Sequence, residues 1–365
     1  MTTIHNRVLT PEEYQRFADE MDGIRNRVLA DLGEADARYI RRIRLAVRLT
    51  GAAGRILLMI GFFLPTWIAG AVLLGLSKIL DNMELGHNVM HGQYDWMNDP
   101  ELKGLTFEWD HGCTAEAWRR THNFQHHTYT NVLGKDHDIG YGTVRVFAEQ
   151  RWRKFYLLQP LWAFLQAVFF QMAIAVFDLK LDRLLRGRIK GEEIQTKLIP
   201  FRRKLIRTFA KDYLLFPLLA GPNFLAVLCG NLVANLIRNI WTFVVIFCGH
   251  FTQDAEVFPI SCLDNESKGQ WYVRQLRGSS NLSGSKLLHI MTGNLSHQIE
   301  HHLFPDIPAR RYGMIAPEVR EVCARYGQHY NTGSFPRQFF TVMVRIFRHA
   351  FPSRPPRRQT KVQPA

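Results

Sequence analysis

The chain has 365 residues, 47% of them hydrophobic, with 25 Phe and 8 Trp, and a formal charge of +14. Its mean hydropathy of −0.14 excludes a chain buried wholly in lipid, whereas a membrane-embedded body with a large polar cap fits both figures. The basic balance fits an anionic membrane surface and an anionic substrate, and the long apolar segments set nucleic acid aside as a partner.

Residues 1–43 read as a cytosolic lead-in helix. Thr10-Pro11-Glu12-Glu13 supplies an N-cap, a proline at the first helical position and acids in the first turn. Arg38, Arg41, Arg42, Arg44 and Arg48 precede the first apolar run and mark the cytoplasmic side. No apolar run follows Met1, so no cleaved signal peptide is expected and insertion falls to internal segments. Residues 44–91 are expected to form a first hairpin turning near Pro65. Extending the apolar run Ala52–Leu80 in both directions makes room for two spans of about 20 residues each.

Residues 92–212 read as a cytosolic or interfacial part of the cap, with a helix expected over 114–128. The stretch 156–177 is apolar enough to span. The segment from Lys180 to Lys211, however, carries eleven Lys and Arg and should stay cytoplasmic, which one crossing would prevent. The stretch 156–177 is therefore expected to lie in or dip into the interface. Residues 213–251 form the second expected hairpin, broken by Gly221-Pro222, turning near Gly230-Asn231 and ending at His250. Residues 252–350 return to the cap. They include a helix expected over 308–326 and a basic amphipathic stretch with Phe339, Phe340, Met343, Ile346 and Phe347 among Arg337, Arg345 and Arg348. The tail 351–365 is Pro- and Arg-rich and expected to be disordered. Five scattered cysteines without a CxxC pair read as structural thiols of a reducing compartment. The expected fold is an all-α integral membrane domain over 1–350, with four transmembrane helices in two hairpins and a cytosolic helical cap.

Histidine spacing organises this frame. His87-Asn-Val-Met-His91, His122-Asn-Phe-Gln-His126-His127 and His297-Gln-Ile-Glu-His301-His302 hold eight of the 15 histidines. Residues four apart share a helix face about 6 Å apart along the axis, so each pair can grip one ion, and an adjacent histidine can reach a second. Eight imidazoles exceed one tetrahedral site, which points to a two-metal centre; imidazole alone leaves Fe, Zn, Cu and Ni open. Two hairpins return all three clusters to one face. His137 lies outside the pattern and reads as a loop residue bonded by Asp136 or Asp138.

These boxes, their order and the paired hairpins resemble the membrane fatty acid desaturase family. Gly86-His87-Asn-Val-Met-His91-Gly92 and Gln298-Ile-Glu-His301-His302-Leu-Phe-Pro305 are similar to its bacterial acyl-CoA branch, which includes the mycobacterial stearoyl-CoA Δ9 enzymes. The similarity runs over about residues 12–350. It implies di-iron ligands at His87, His91, His122, His126, His127, His297, His301 and His302, with His250 as a ninth. Within the third box the i, i+4 geometry favours His297, while Gln298 sits where front-end relatives place a glutamine.

The resemblance implies two Fe ions, O2 as co-substrate and a cis double bond, at Δ9, in a long-chain acyl-CoA or acyl-lipid. Oxidising an unactivated C–H bond needs redox-active metal and O2, which zinc cannot provide. No His-Pro-Gly-Gly haem motif is present, so electrons are expected from a separate donor, a ferredoxin or a ferredoxin-containing reductase. The expected location is the cell (inner) membrane, in contact with membrane lipid, with the active site on the cytoplasmic side. Trp96, Trp109, Trp118, Trp152, Trp271 and Tyr272 are candidate tunnel walls. Glu84, Asp95, Asp136, Asp138 and Glu300 are candidates to orient imidazoles. The alternatives are a histidine-box hydroxylase of an alkane, sterol or carotenoid, and a zinc-dependent membrane hydrolase. A transporter is disfavoured because the histidines sit at the ends of helices on one side.

Overall fold

The computed structural model describes residues 6–178 and 191–353 and is mostly helical. Lys180, Arg183, Arg186, Arg188 and Lys190 of the basic segment, and the tail from residue 354, lie outside the described residues.

Helix α1 (Pro11–Ala30) starts on the expected capping box: Thr10 accepts from the Glu13 N–H, and the Glu13 side chain accepts from the Thr10 N–H. Helix α2 (Glu34–Met59) then runs without a break through the basic stretch into the apolar run. The chain turns at residues 60–63, and α3 (Leu64–Met90) starts with Pro65 in its first turn, where a missing N–H costs nothing. The two helices meet at glycines. A Cβ on Gly54 would lie 2.6 Å from the Leu74 nitrogen, and one on Gly70 would lie 2.9 Å from that of Leu58. Small residues of this kind let apolar helices approach closely where lipid removes the hydrophobic drive between them.

Helix α4 (115–129) carries the second histidine box, close to the expected range. Both α3 and α4 widen into π-type turns at their histidines, over Asp81–His87 and Arg119–His126. Such widened turns are common at functional sites. Helices α5 (Lys154–Val168) and α6 (Phe170–Phe177) are bent by 99° to one another, so the apolar stretch 156–177 is a broken helix. Helix α7 (191–219) leads to a turn at Ala220, and α8 (Gly221–His250) is continuous from there.

Of the two breaks read in the second hairpin, Gly221-Pro222 marks the real turn and Gly230-Asn231 does not. Gly230 is needed for packing: a Cβ there would lie 2.3 Å from a Leu58 methyl carbon. Asn231 is needed for bonding, since its side-chain amide donates to the Asp212 carbonyl at 2.6 Å.

The cap follows as α9 (Lys268–Arg277), strand β1 (Asn281–Ser283), α10 (Lys286–Met291), α11 (Gln298–Leu303), α12 (Tyr312–Arg325), strand β2 (Thr332–Ser334) and α13 (Phe335–His349). The two strands pair in parallel, Leu282 opposite Gly333. The cap core joins α1, α9, α11 and α12 through Phe17, Met21, Leu276, Ile299, Leu303 and Tyr312, all buried. Each such side chain contributes roughly 1.5–3 kcal/mol. Ile299 and Leu303 lock the short helix that carries the third histidine box. Arg25 pairs with Asp306, and Asp36 holds both Arg310 and Arg311, tying the N-terminal helices to the chain just after that box. Leu64–Met90 and Gly221–His250 are long and apolar enough to cross a membrane, and the bent α5–α6 pair makes a third crossing if it counts as one span.

Candidate metal centre

Four stretches deliver histidines to one point. The end of α3 brings His87 and His91, α4 brings His122, His126 and His127, the end of α8 brings His250, and α11 brings His301 and His302. Their ligand nitrogens fall into two adjoining groups. His87, His91, His122 and His301 lie within 4.8 Å of one another, and so do His126, His250 and His302. His127 groups with His301 and His302 and so stands between the two.

Six of the eight rings are turned by an outer partner. His126 Nδ1 lies 3.1 Å from the Asp136 carboxylate, whose oxygens also accept from the backbone N–H groups of Asn131 (2.8 Å) and Asp138 (2.9 Å). His250 Nδ1 donates to the Gly278 carbonyl at 3.2 Å. His302 Nδ1 faces the Gln275 carbonyl oxygen at 3.0 Å, and His301 Nδ1 faces the Tyr312 hydroxyl at 3.3 Å. His87 Nδ1 is 3.0 Å from Asn88 Oδ1, and the Trp118 ring stacks on His122 with centroids 4.5 Å apart. A ring whose Nδ1 carries the proton presents a bare Nε2 lone pair on its other side.

Those lone pairs converge. His87 and His122 bring Nε2 atoms to 3.3 Å, His126 and His250 to 3.2 Å, and His250 and His302 to 3.1 Å. Two bare acceptors at such distances repel unless a proton or a metal cation lies between them, and the spacing fits either. His91 Nε2, His301 Nε2 and both nitrogens of His127 are buried with no hydrogen-bond partner, which fits metal ligation. Burial holds His91, His122, His127, His301 and His302 well below the ordinary imidazole value of 6.5, so these rings are neutral, as ligands must be. Burial also works against a charged His126, but the Asp136 carboxylate outweighs it and raises that ring.

Of the nine histidines expected as ligands, eight are brought together and His297 is not. Helix α11 begins at Gln298, one residue after His297, whose φ −105°, ψ 55° lies outside the helix. The i, i+4 relation to His301 therefore does not apply. His297 stacks towards His289, with centroids 4.7 Å apart, while the Gln298 amide lies 2.9 Å from His250 Nε2.

Among the carboxylates read as orienting groups, Asp136 bonds His126, and Asp138 lies 3.7 Å from His122 Nδ1. Glu84 instead binds Tyr39 and Asn294, Glu300 binds Asn281 and Tyr330, and Asp95 binds the Gly104 N–H. Gln275, Tyr312 and the Gly278 carbonyl had no signal in the sequence, since they lie 11 to 28 residues from the rings they meet, whereas Asn88 sits next to His87 inside the first box, a signal the sequence reading missed.

A pocket runs from the histidines between α3 and α8. Met83, Trp109, Trp118, Tyr141, Ile174 and Ile246 form its apolar wall. Of the proposed wall aromatics only Trp109 and Trp118 belong to it. The Trp96 indole bonds Gln93, that of Trp152 bonds Ala350, and Trp271 and Tyr272 pack in the cap core.

Comparison with known proteins agrees with the geometry. Residues 63–334 match the model of the family described as fatty acid desaturase. The chain is 46% identical over 335 residues to an NADPH-dependent stearoyl-CoA 9-desaturase of Mycobacterium tuberculosis, covering 91% of this chain and 78% of that protein. It is 26% identical over 278 residues to an sn-1 linoleoyl-lipid 6-desaturase of Synechocystis, covering 73% and 75% respectively. With eight convergent imidazoles, an adjoining apolar pocket and these matches, the chain belongs to the fatty acid desaturase family.

Proposed function

We propose that this protein is an O2-dependent membrane desaturase that places a cis double bond at Δ9 of a long-chain acyl-CoA, with stearoyl-CoA as the reference substrate. The observation that carries the reading is the pair of adjoining imidazole clusters, with Nε2 atoms facing one another at 3.1–3.3 Å beside an apolar pocket. The relative of 46% identity, named for stearoyl-CoA, supports the substrate class.

We assign His87, His91, His122, His126, His127, His250, His301 and His302 as ligands of two iron ions, with Gln298 beside His250. Bound there, two irons supply what no side chain can, the activation of O2 for oxidation of an inert C–H bond. The chain's own groups do the positioning. Asp136, Gln275, Tyr312 and the Gly278 carbonyl fix ring orientation, and Trp109, Trp118, Ile174 and Ile246 hold the acyl chain and exclude water. Electrons come from a separate NADPH-linked donor.

We read residues 44–91 and 213–251 as two membrane hairpins of four spans, the second entered by the apolar end of α7 beyond Lys211, with the cap and the metal centre on the cytoplasmic side. Exposed apolar side chains on all four helices support this, among them Leu49, Ile56, Ile68, Leu218 and Leu232.

The test is expression in a host of defined lipid composition with a competent electron donor, followed by mass spectrometry with double-bond location. New Δ9 monounsaturated chains, about two irons per protein and a silent His126→Ala control are expected. Zinc alone with O2-independent activity, or an unchanged profile despite iron loading, refutes the reading; a hydroxylated product replaces it with the hydroxylase alternative.

A further inference from the structure

The desaturase reading sets a requirement that the histidines cannot meet. Forming one double bond removes two hydrogen atoms from the chain, hence two electrons and two protons. Reducing O2 to two waters takes four of each. The external donor supplies the other two electrons, and solvent has to supply the other two protons. The rings at the centre are buried, and in this reading their inner nitrogens are committed to metal, so another route is needed.

A second buried charged cluster lies against the same pocket. Lys78 on α3 is 3% exposed, with its Nζ 2.7 Å from Asp212 and 3.5 Å from Asp110. Asp110 meets Lys211 at 2.5 Å, and both side chains of that pair are 30% exposed. Beside them stands the Lys204–Glu108 pair, 2.9 Å apart, with Glu108 well exposed. This end of the cluster is wet. The inner end is Asp81, whose Oδ2 accepts the Asp110 N–H at 2.9 Å and the Asn82 side-chain amide at 3.3 Å. Asn82 lines the pocket together with His87, His122 and His126. Its Oδ1 is buried without a hydrogen-bond partner, and so is the hydroxyl of Thr242, which lines the pocket from α8. Charges held this deep in membrane helices cost several kcal/mol in desolvation and commonly mark proton or ion paths.

We propose that Lys78, Asp81, Asp110 and Lys211 form the proton-entry route of the enzyme, opening at the Asp110–Lys211 pair and releasing protons into the pocket beside Asn82. Water carries each proton between the carboxylates and into the pocket, because the Asp110 backbone N–H and the Asn82 amide that bond Asp81 only orient it. Only O–H and N–H bonds form and break along it. Each group that releases a proton inward regains one from the solvent side. The inference rests on the desaturase reading, whose O2 and external electrons it takes as given.

The test uses full-length iron-loaded enzyme carrying Asp81→Asn or Lys78→Met, in single turnovers of the reduced protein with stearoyl-CoA and O2. Product yield is expected to fall about tenfold or more, the scale of lost general acid–base chemistry. The missing reducing equivalents should appear as hydrogen peroxide, with iron content and acyl-CoA affinity retained. A second readout needs no metal: in the apo protein, the infrared carboxyl bands that vanish in Asp81→Asn should respond to bulk pH within seconds. A wild-type ratio of double bond to peroxide in the variants, or bands that ignore the bulk, overturns the route. Should Asp81→Asn not fold, Asp110→Asn at the half-exposed mouth carries the same expectations. A wild-type enzyme that makes no double bond refutes the desaturase reading; one that does, with variants equal to it, refutes the route alone.

Discussion

Replacing Asp136 by asparagine tests how the outer partners hold the metal centre. The carboxylate is buried, and both oxygens are in use. One accepts the Asn131 N–H at 2.8 Å, the other accepts the Asp138 N–H at 2.9 Å, and His126 Nδ1 lies within 3.2 Å of both. An asparagine has one oxygen and one NH2. Whichever way it turns, the NH2 faces a backbone N–H, leaving a buried donor unmatched at a cost of about 1–3 kcal/mol. Loss of the charge-assisted bond to His126 removes about 1.5–3 kcal/mol more. The two together come to roughly 2.5–6 kcal/mol of native-state stability, with iron affinity expected to fall by about 10- to 100-fold as for other lost outer partners. Thermal unfolding with and without iron, paired with an iron titration, reads both numbers. An Asp136→Asn protein that melts and binds iron like the wild type would refute the assignment of Asp136 as the group that orients His126.

Three further outcomes are expected. Gln298→Ala should weaken iron binding, whereas His297→Ala should leave iron content within about twofold, because its ring stacks on His289 outside the centre; elemental analysis of both purified variants decides. The metal-free protein should lose stability as pH falls below 6.5. The five buried rings with depressed values stay neutral in the fold while the unfolded chain takes up protons, at about 1.4 kcal/mol per pH unit for each group. A chemical denaturation series from pH 8 to 5 checks the sign, and a flat or rising stability towards acid would contradict it. Gly269→Ala should loosen α1 from α9, since the added Cβ would lie 2.0 Å from the Tyr14 carbonyl oxygen. Faster proteolysis within α1 and a lower melting temperature are the expected readouts.

The sequence was most legible where chemistry is local. The i, i+4 pairs of the first two boxes lie on real helices, so the convergence of their rings follows from spacing. The third box misleads for a local reason too. Gly293 and Asn294 both adopt positive φ (69° and 56°), and a tight 3-10 turn over Leu295–His297 follows, so the α-helix starts only at Gln298. A Gly-Asn pair four residues before His297 is a turn signal, and it outranks the histidine pattern. In the second hairpin, Gly221-Pro222 and Gly230-Asn231 carry similar punctuation. The packing of Leu58 against Gly230 and the Asn231 bond to Asp212 distinguish them, and both are tertiary contacts that no local pattern encodes. The orienting groups Gln275 and Tyr312 reach His302 and His301 through the fold of the cap, which no periodicity encodes.

The wide spacing of the ligands also governs how the protein must assemble. The centre gathers side chains from His87 to His302, with α8 lying between the second and third boxes. Closing loops of this length costs chain entropy before any bond repays it, so contacts of this range form late. The eight rings bring facing lone pairs that repel until a cation separates them. A metal ion bound there would be the final staple of the fold, and its capture would act as a checkpoint of biogenesis: a chain whose helices pack in the wrong register has nowhere to put it.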